Sequence, residues 1–197
     1  MPPDLFDKKT TAEVKHSEDS VTKILRNHFN QGYTYRINNA FIYAHDWECD
    51  FFCVNSDGYA LEFEIKISRG DFQNDFLKFK HLLFKKTDKK GILMPNRFYY
   101  VVPEGMVSTE EIPKYAGLIY ITGQHMKIVK RAPFIHKEKR DYRKVLCDKF
   151  YERYTSQRRE FAQLIYDMKN ARKLFEKMQG YLTEQERSDL RLMGFLK

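Results

Sequence analysis

Residues 59–68 read Tyr-Ala-Leu-Glu-Phe-Glu-Ile-Lys-Ile-Ser, and this stretch decides the fold that the sequence predicts. Alternation of apolar and charged residues is typical of a β-strand, because successive side chains point to opposite faces of a sheet. The apolar face is formed by Leu61, Phe63, Ile65 and Ile67. The charged face is formed by Glu62, Glu64 and Lys66. We therefore expect one face of this strand to pack into a hydrophobic core and the other to hold any catalytic or metal-binding side chains.

The residues before this strand predict a β-hairpin. A second strand-like run spans 48–54, and residues 56–58 separate it from the run at 59–67. Gly58 suits the last position of a three-residue hairpin loop, because that position needs a positive φ angle. The two runs are thus predicted to pair as antiparallel neighbours.

The register of this hairpin brings two carboxylates together. With the loop at 56–58, Asn55 faces Tyr59, and counting back along both strands places Asp50 opposite Glu64. Directly opposed side chains have Cβ atoms about 5 Å apart, so two carboxylates there repel unless a cation lies between them. A hard divalent ion such as Mg²⁺ suits oxygen ligands of this kind and keeps several waters, one of which can become an attacking nucleophile.

Two other interpretations of these residues stay open. A solvent-exposed strand face with an ordinary Glu–Lys ion pair would give the same sequence pattern as a metal site. Asp46 and Glu48 share the strand parity of Asp50 and are rivals for its role, although the register with Glu64 favours Asp50.

A helix is predicted over 11–29, ending before Gly32. Within it Val14, Glu18, Val21 and Leu25 advance by four, three and four positions, which places Glu18 on the apolar stripe. A carboxylate that faces inward needs a partner, and a metal ion or the active-site lysine could provide one. The alternative is a helix that starts at Ser17, where the helix dipole favours an acidic residue.

The remaining pattern predicts a mixed α/β or α+β core followed by a helical extension. Strand-like segments are expected at 33–42, 97–102, 117–122 and 126–129. Helices are expected at 71–86 and 140–178, and a capping box at 183–186 opens a short final helix. The first of these helices would bury a stripe of Phe72, Phe76, Phe79 and Leu83. We divide the chain into a flexible arm (1–11), a core (12–136) and a basic helical extension (137–197).

The net charge of +8 lies almost entirely in the last third of the chain. Residues 1–126 carry 16 Lys and Arg against 17 Asp and Glu, whereas residues 127–197 carry 19 against 10. A basic segment on a near-neutral body indicates a polyanionic partner, most simply DNA. Arg158 and Arg159 are candidate phosphate contacts. A solvated helical surface would show the same charges.

The predicted long helix also carries a heptad-like apolar stripe. Its members are Phe161, Leu164, Met168, Ala171, Phe175 and Met178. Alternating spacings of three and four residues are typical of coiled coils. A homodimer through the C-terminal helix is therefore a further expectation, and a self-associating structural protein is a further function class.

The sequence disfavours several classes of protein and of functional site. No apolar run approaches the length of a membrane span, and the first nine residues lack a signal-peptide core, so a cytoplasmic protein with no membrane contact is expected. Cys49, Cys53 and Cys147 show no CxxC spacing, which argues against a disulfide framework and a cysteine-rich zinc site. The sequence has neither a glycine-rich phosphate loop nor a GxSxG motif, so nucleotide hydrolysis and acyl transfer lack support.

These residues together resemble the PD-(D/E)XK nuclease superfamily. The resemblance rests on Asp50, thirteen intervening residues, and Glu64-Ile65-Lys66 in an apolar strand, preceded by a helix with Glu18. Cys49 stands where the family has proline. The run EIKISRGDFQNDFLKFKH, followed by NRFYYVVPEGM and YAGLIYIT, also resembles small bacterial and phage proteins assigned to DNA repair or to nucleases. The resemblance covers about residues 12–133.

The resemblance implies a restriction-endonuclease-like core, in which a mixed central sheet is flanked by helices. It implies a metal-dependent deoxyribonuclease of DNA repair, recombination or phage defence, with Mg²⁺ as cofactor and Mn²⁺ as a substitute. Asp50 and Glu64 would be metal ligands, together with the backbone carbonyl of Ile65. Lys66 would be the catalytic lysine, and Glu18 an auxiliary acidic residue.

Three further residues are candidate contacts to the DNA backbone. Arg69 would sit at the mouth of the site, and Lys78 and Lys80 would lie on the helix that follows. A protein that keeps the nuclease fold without turnover, acting as a DNA-binding or assembly module, is the alternative function.

Overall fold

The computed structural model describes residues 16–44, 47–86 and 92–194. The expected arm at 1–11 lies outside the described residues. The helices are α1 (Glu18–His28), α2 (Arg69–Asp75), α3 (Phe79–Lys85), α4 (Arg143–Gln179) and α5 (Glu184–Leu192). The strands are β1 (Tyr33–Ala44), β2 (Trp47–Asn55), β3 (Ala60–Ile65), β4 (Arg97–Pro103), β5 (Ala116–Thr122) and β6 (His125–Lys130).

The strands form one six-stranded mixed sheet in the order β1-β2-β3-β4-β5-β6. Pairing is parallel between β3 and β4 and between β4 and β5, and antiparallel at the other three junctions. The predicted α+β class, with a mixed central sheet flanked by helices and a long C-terminal helix, is confirmed.

The hairpin has the predicted register. Asn55 and Tyr59 are joined by a backbone hydrogen bond of 3.0 Å, and Gly58 has the expected positive φ of 84°. The ladder then runs from Val54 opposite Ala60 to Phe51 opposite Phe63. The loop and the alternation were therefore sufficient to set the pairing.

Both faces of the sheet are covered by helices. On one face, α1 packs its buried residues Val21, Ile24 and Leu25 into a cluster that includes Phe63. The opposite face contacts α2, α3 and the start of α4 through buried side chains that include Phe72, Phe84, Tyr142 and Leu146. The charged face of β3 is therefore an interior surface rather than a solvated one.

The first helix begins later than predicted. Ser17 accepts a hydrogen bond from the backbone N–H of Ser20, and Ser20 in turn caps the backbone of Ser17. This reciprocal cap starts α1 at Glu18. The proposed helical residues 11–15 lie outside the described part.

The single helix predicted over 71–86 is wrong, because the chain forms two short helices. Lys78 has an extended conformation, with φ −68° and ψ 141°, and this breaks the helix between Asp75 and Phe79. The break rotates the second segment, so Lys80, His81 and Phe84 become its buried residues while Phe79 is 59% exposed. The predicted stripe of four apolar residues therefore does not hold.

The chain divides into two compact units, residues 1–146 and 147–197. The division falls ten residues beyond the expected core boundary at 136, because Tyr142 and Leu146 belong to the buried core of the first unit. In the second unit, the predicted capping box between Thr183 and Glu186 opens α5. Among the residues described, no helix is both long and apolar enough to cross a membrane.

Candidate active site

Asp50 lies where β2 and β3 stop pairing. The last paired rung is Phe51 opposite Phe63. Beyond this rung the backbones of the two strands are no longer paired. The side chain of Asp50 contacts β3 instead, since its Oδ2 accepts a hydrogen bond from the backbone N–H of Ile65 at 2.7 Å. Opposite this point, Asn39 on β1 has a positive φ of 49°. The acidic side chain is thus held by the backbone at an irregular point of the sheet, which is where functional side chains are often placed.

Glu64 is fully buried and receives three lysine ammonium groups. Lys66 lies 2.8 Å and Lys78 2.5 Å from its Oε1, and Lys80 contacts its Oε2. The Lys66 ammonium also lies 4.0 Å from Asp50. The cation that the predicted Asp50–Glu64 pair requires is therefore a lysine in this structure.

Glu62, two positions earlier on the same face, is the second fully buried acid of β3. Its Oε1 accepts hydrogen bonds from the indole Nε1 of Trp47 at 2.9 Å and from Lys80 at 3.2 Å. Its Oε2 has no hydrogen-bond partner among the described residues. Lys80 thus links the two buried glutamates.

Asp75 brings the end of α2 into the same cluster. Its Oδ2 accepts from the Tyr100 hydroxyl at 2.8 Å and lies 2.9 Å from Nε2 of His81. Its Oδ1 lies 2.7 Å from the Lys78 ammonium and 3.7 Å from that of Lys66. Asp75 therefore shares both lysines with Glu64.

His81 is in turn oriented by a tyrosine. The Tyr115 hydroxyl lies 2.9 Å from Nδ1 of His81, on the side of the ring opposite Asp75. An acceptor at Nε2 and a hydroxyl at Nδ1 favour the tautomer that carries its proton on Nε2. The imidazole fixes Asp75, which in turn positions the lysines.

This cluster is costly to bury. Asp50, Glu62, Glu64 and Asp75 supply four carboxylates, against the ammonium groups of Lys66, Lys78 and Lys80. Buried ion pairs add little net stability compared with apolar residues of similar volume. The arrangement is therefore better explained by function than by folding.

The environment separates the pKa values of the acids. Burial, followed by the charge of Glu64, raises the pKa of Asp50 to about 7. Burial likewise raises the pKa of Glu62 to about 7, although Lys80 and Trp47 oppose the shift. For Asp75 burial acts in the same direction, but hydrogen bonds from His81 and Lys78 and the charge of Lys80 lower its pKa far below the usual range.

The environment raises the pKa values of Lys78 and Lys80. Burial acts to lower the pKa of Lys78, yet Glu64 and Asp75 raise it to about 12. For Lys80 burial again acts downward, and Glu62 and Glu64 outweigh it, so its pKa is raised. The cluster thus places the charged Lys78 and Lys80 beside Asp50 and Glu62, whose pKa values burial raises to about 7.

Not every predicted site residue joins this cluster. Glu18 is exposed in the first turn of α1, and the inward position expected for it is wrong, because the helix turns Val21, Ile24 and Leu25 to the sheet instead. That helix packs on the face of the sheet opposite Glu64. No described hydrogen bond or ion pair connects Glu18 with the cluster.

The predicted DNA contacts have separate positions. Arg69 is half-exposed and pairs with Glu111, and it also donates to the carbonyl of Met106 at 2.6 Å. Lys80 is not on the surface: its side chain is 2% exposed, because the helix break turns it to the glutamates. Lys78 is half-exposed, and Arg158 and Arg159 are exposed on α4.

Sequence reasoning missed Glu62 and Asp75 as members of the site. Glu62 belongs to the predicted charged face of the strand but receives no role there, and Asp75 lies inside the helix that the sequence predicts to be continuous. One feature of the sequence could have indicated them. Asp75, Lys78 and Lys80 lie close together in an aromatic-rich segment, and an unbroken amphipathic helix would turn some of these charged side chains toward the core.

Within residues 16–44, 47–86 and 92–194, no three His, Cys, Asp or Glu side chains form a metal-binding group. Three carboxylates lie within 4.0 Å of the Lys66 ammonium, and those of Asp50 and Glu64 are the two that the sequence predicts as metal donors. Magnesium is commonly bound by one or two carboxylates, with waters and phosphate oxygens completing its shell. The donor set is thus of the kind that Mg²⁺ accepts, without being a complete protein cage.

No protein-family model and no curated protein matches the chain. Among solved structures, a protein of unknown function from Silicibacter pomeroyi is similar, with 25% sequence identity and a TM-score of 0.49. The match covers 70% of this chain and 83% of the other.

Proposed function

We propose that this protein is a metal-dependent deoxyribonuclease that hydrolyses DNA phosphodiester bonds, acting in the cytoplasm in DNA repair, recombination or phage defence. The observation that carries the proposal is the pair of a partly exposed Asp50 and a fully buried Glu64, both in contact with Lys66 where β2 and β3 stop pairing. Asp50, Glu64 and Lys66 follow one another along the chain in the order of the PD-(D/E)XK pattern, which the sequence resembles. Buried acids and lysines with shifted pKa values are typical of functional sites.

Mg²⁺, or Mn²⁺ in its place, would be held by Asp50 and Glu64, with the carbonyl of Ile65 as a further donor. The fit is supported by Lys78, a half-exposed cation that lies between the carboxylates of Glu64 and Asp75. The position between these two carboxylates therefore suits a cation, and Lys78 is exposed enough for a metal ion to displace it. When bound, the metal supplies an acidified water and neutralises charge on the phosphate.

The chain's own residues hold the reacting groups in place. The N–H of Ile65 fixes one oxygen of Asp50, which leaves the other for the metal. Lys66 donates to Glu64 and lies near Asp75, so its ammonium is held where it can orient a water or stabilise charge on a phosphate. Asp75 and His81 act on this lysine and are positioning residues.

The test is cleavage of end-labelled DNA with Mg²⁺ or Mn²⁺, using a panel of single-stranded, duplex and branched forms. We expect cleavage by the parent protein, and its loss by at least about 100-fold in Asp50→Asn and Lys66→Met proteins. Lys85→Met, at an exposed position of α3, is the matched control and should cleave like the parent. Circular dichroism must show that all variants are folded. Cleavage that survives both site substitutions would refute the proposal.

A second candidate function is a catalytically silent DNA-binding or assembly module. It is favoured by one observation: lysine ammonium groups contact both oxygens of Glu64, and a metal ion would have to replace at least one of these contacts. Binding of DNA that weakens with salt, with no cleavage under any divalent metal, would support this candidate instead.

A further inference from the structure

A pocket lies directly beside the acidic cluster. Its volume is about 350 Å³, and Asp50, Lys78 and Lys80 belong to both the pocket and the cluster. This volume is at the lower end of the range, about 300–1,000 Å³, in which proteins bind small molecules. Any group that enters the pocket would lie next to the groups proposed to act on the phosphodiester.

The pocket has aromatic and apolar walls. They are formed by Phe41 on β1, Trp47 on β2, and Phe79 and Leu83 on α3. Phe41 is 40% exposed and Phe79 is 59% exposed, whereas Trp47 is buried. Two large rings at a pocket entrance leave apolar surface in water unless a flat apolar group covers them.

One acceptor faces the same space. Glu48 lines the pocket and pairs in register with Phe41 across β1 and β2. A carboxylate next to an aromatic ring suits a planar group that stacks by its face and donates hydrogen bonds from its edge. The amino groups of nucleobases are donors of this kind.

We propose that this pocket binds one unpaired nucleobase of a DNA strand, so that the adjoining phosphate reaches Asp50, Glu64 and Lys66. The proposal rests on the proposed nuclease function and specifies its substrate class as single-stranded DNA or a base displaced from a duplex. Phe41 and Phe79 supply the stacking surfaces, Glu48 accepts from the base edge, and Lys78 contacts the phosphate.

An intact duplex cannot use the pocket. Its bases are stacked and paired inside the helix and expose only their edges in the grooves, so a base must be unpaired before its face can enter a protein pocket. Base stacking on aromatic side chains is also tolerant of sequence, because each base has a π-face. We therefore expect the protein to bind single-stranded DNA more tightly than intact duplex DNA, with little preference for base sequence.

The test uses a single-stranded oligonucleotide with one 2-aminopurine, whose fluorescence falls when the base stacks. The full-length protein is titrated in EDTA and again in Ca²⁺, and anisotropy of an end label reports binding separately. We expect binding with quenching of the single strand, and no quenching of the same base inside a perfect duplex. Phe79→Leu, which keeps an apolar side chain without the ring, should lose the quenching and weaken binding by about 5- to 150-fold.

Leu82→Ala is the matched control, because Leu82 is 60% exposed on the same helix and does not line the pocket. It should quench and bind like the parent. Binding of the single strand without quenching, or equal quenching by Phe79→Leu and parent, overturns the inference. If metal-dependent cleavage that needs Lys66 persists in that case, the nuclease proposal stands and only the pocket assignment falls. Absence of both DNA binding and cleavage overturns both.

Discussion

At the scale of single residues, Lys80 shows how one side chain holds the site together. It is buried and forms ion pairs with both Glu62 and Glu64, whereas Lys78 contacts the same cluster from a half-exposed position. The two lysines are two positions apart in sequence yet belong to different environments. Their stability contributions should differ accordingly.

Replacing Lys80 with methionine should destabilise the metal-free protein by about 3–5 kcal/mol, since it leaves buried carboxylates without their partner. Replacing Lys78 with methionine should cost no more than about 1 kcal/mol, because water screens a half-exposed ion pair. Urea unfolding of both variants in EDTA measures the difference. Equal losses for the two would contradict the burial difference between these lysines.

We expect Glu62 to make the free energy of unfolding depend on pH. Its folded pKa of about 7 lies above the unfolded value near 4.5, so between these values the folded state holds more protons and stability falls as pH rises. Each such group contributes at most about 1.4 kcal/mol per pH unit, and Asp50 acts in the same direction.

Glu62→Gln removes one of these two contributions while keeping an oxygen for Trp47. In EDTA, the unfolding free energy of the parent should fall between pH 5 and pH 8, and that of Glu62→Gln should fall less. Urea titrations at the two pH values measure both slopes. Glu104→Gln, at an exposed position, serves as control and should keep the parent slope. A slope that Glu62→Gln leaves unchanged would show that Glu62 is already ionised at pH 5.

At the scale of elements, α4 carries an apolar stripe without a partner among the described residues of its own unit. Phe161, Leu164 and Met168 are 55–64% exposed, and Phe175 and Met178 continue the stripe. The spacing alternates between three and four residues, which matches the seam of a coiled coil. We expect a second copy of the chain to cover this stripe.

Leu164→Lys together with Met168→Lys should convert the dimer to a monomer, because charged residues at core positions of a coiled coil repel. Tyr166→Lys, at an exposed position outside the stripe, should leave the dimer intact. Sedimentation equilibrium over a range of protein concentrations distinguishes these states. A parent protein that stays monomeric throughout would rule out the coiled-coil dimer.

At the scale of the whole molecule, charge is divided between segments of different composition. The first 126 residues are near neutral and hold the acidic cluster, whereas the last 71 carry the surplus of positive charge. An acidic cluster repels DNA, so the proposed nuclease would need attraction to phosphates from another part of the chain. The exposed arginines of α4 are suited to this, since phosphate contacts give strength without sequence information.

Arg158→Ala together with Arg159→Ala should weaken DNA binding and reduce its salt dependence. Each phosphate contact that is lost lowers the slope of log K against log salt by about 0.9 for duplex DNA and about 0.7 for a single strand. Anisotropy titrations at several salt concentrations measure the slope. Lys23→Ala, at an exposed position of α1, should not change it. An unaltered slope in the double variant would place the phosphate contacts elsewhere.

Local sequence patterns are sufficient to predict the hairpin and the part of the candidate site that lies on it. The alternation in 59–68 and the glycine of the loop specify a register by themselves, because strand periodicity and turn geometry are properties of neighbouring residues. Asp50, Glu64 and Lys66 were therefore placed together from sequence alone, and the α+β class followed from the order of the periodic segments.

The surroundings of that pair depend on contacts between segments that are distant in the sequence. A helix break at Lys78 changes which side of the following segment faces the sheet, and the apolar periodicity of 71–86 runs through the break without any sign of it. The same break buries Lys80 and His81, joins Asp75 and Glu62 to the site, and exposes Phe79 at the pocket. Burial on both faces of a sheet depends on contacts between distant segments, and for that reason the charged face of β3 became an interior site.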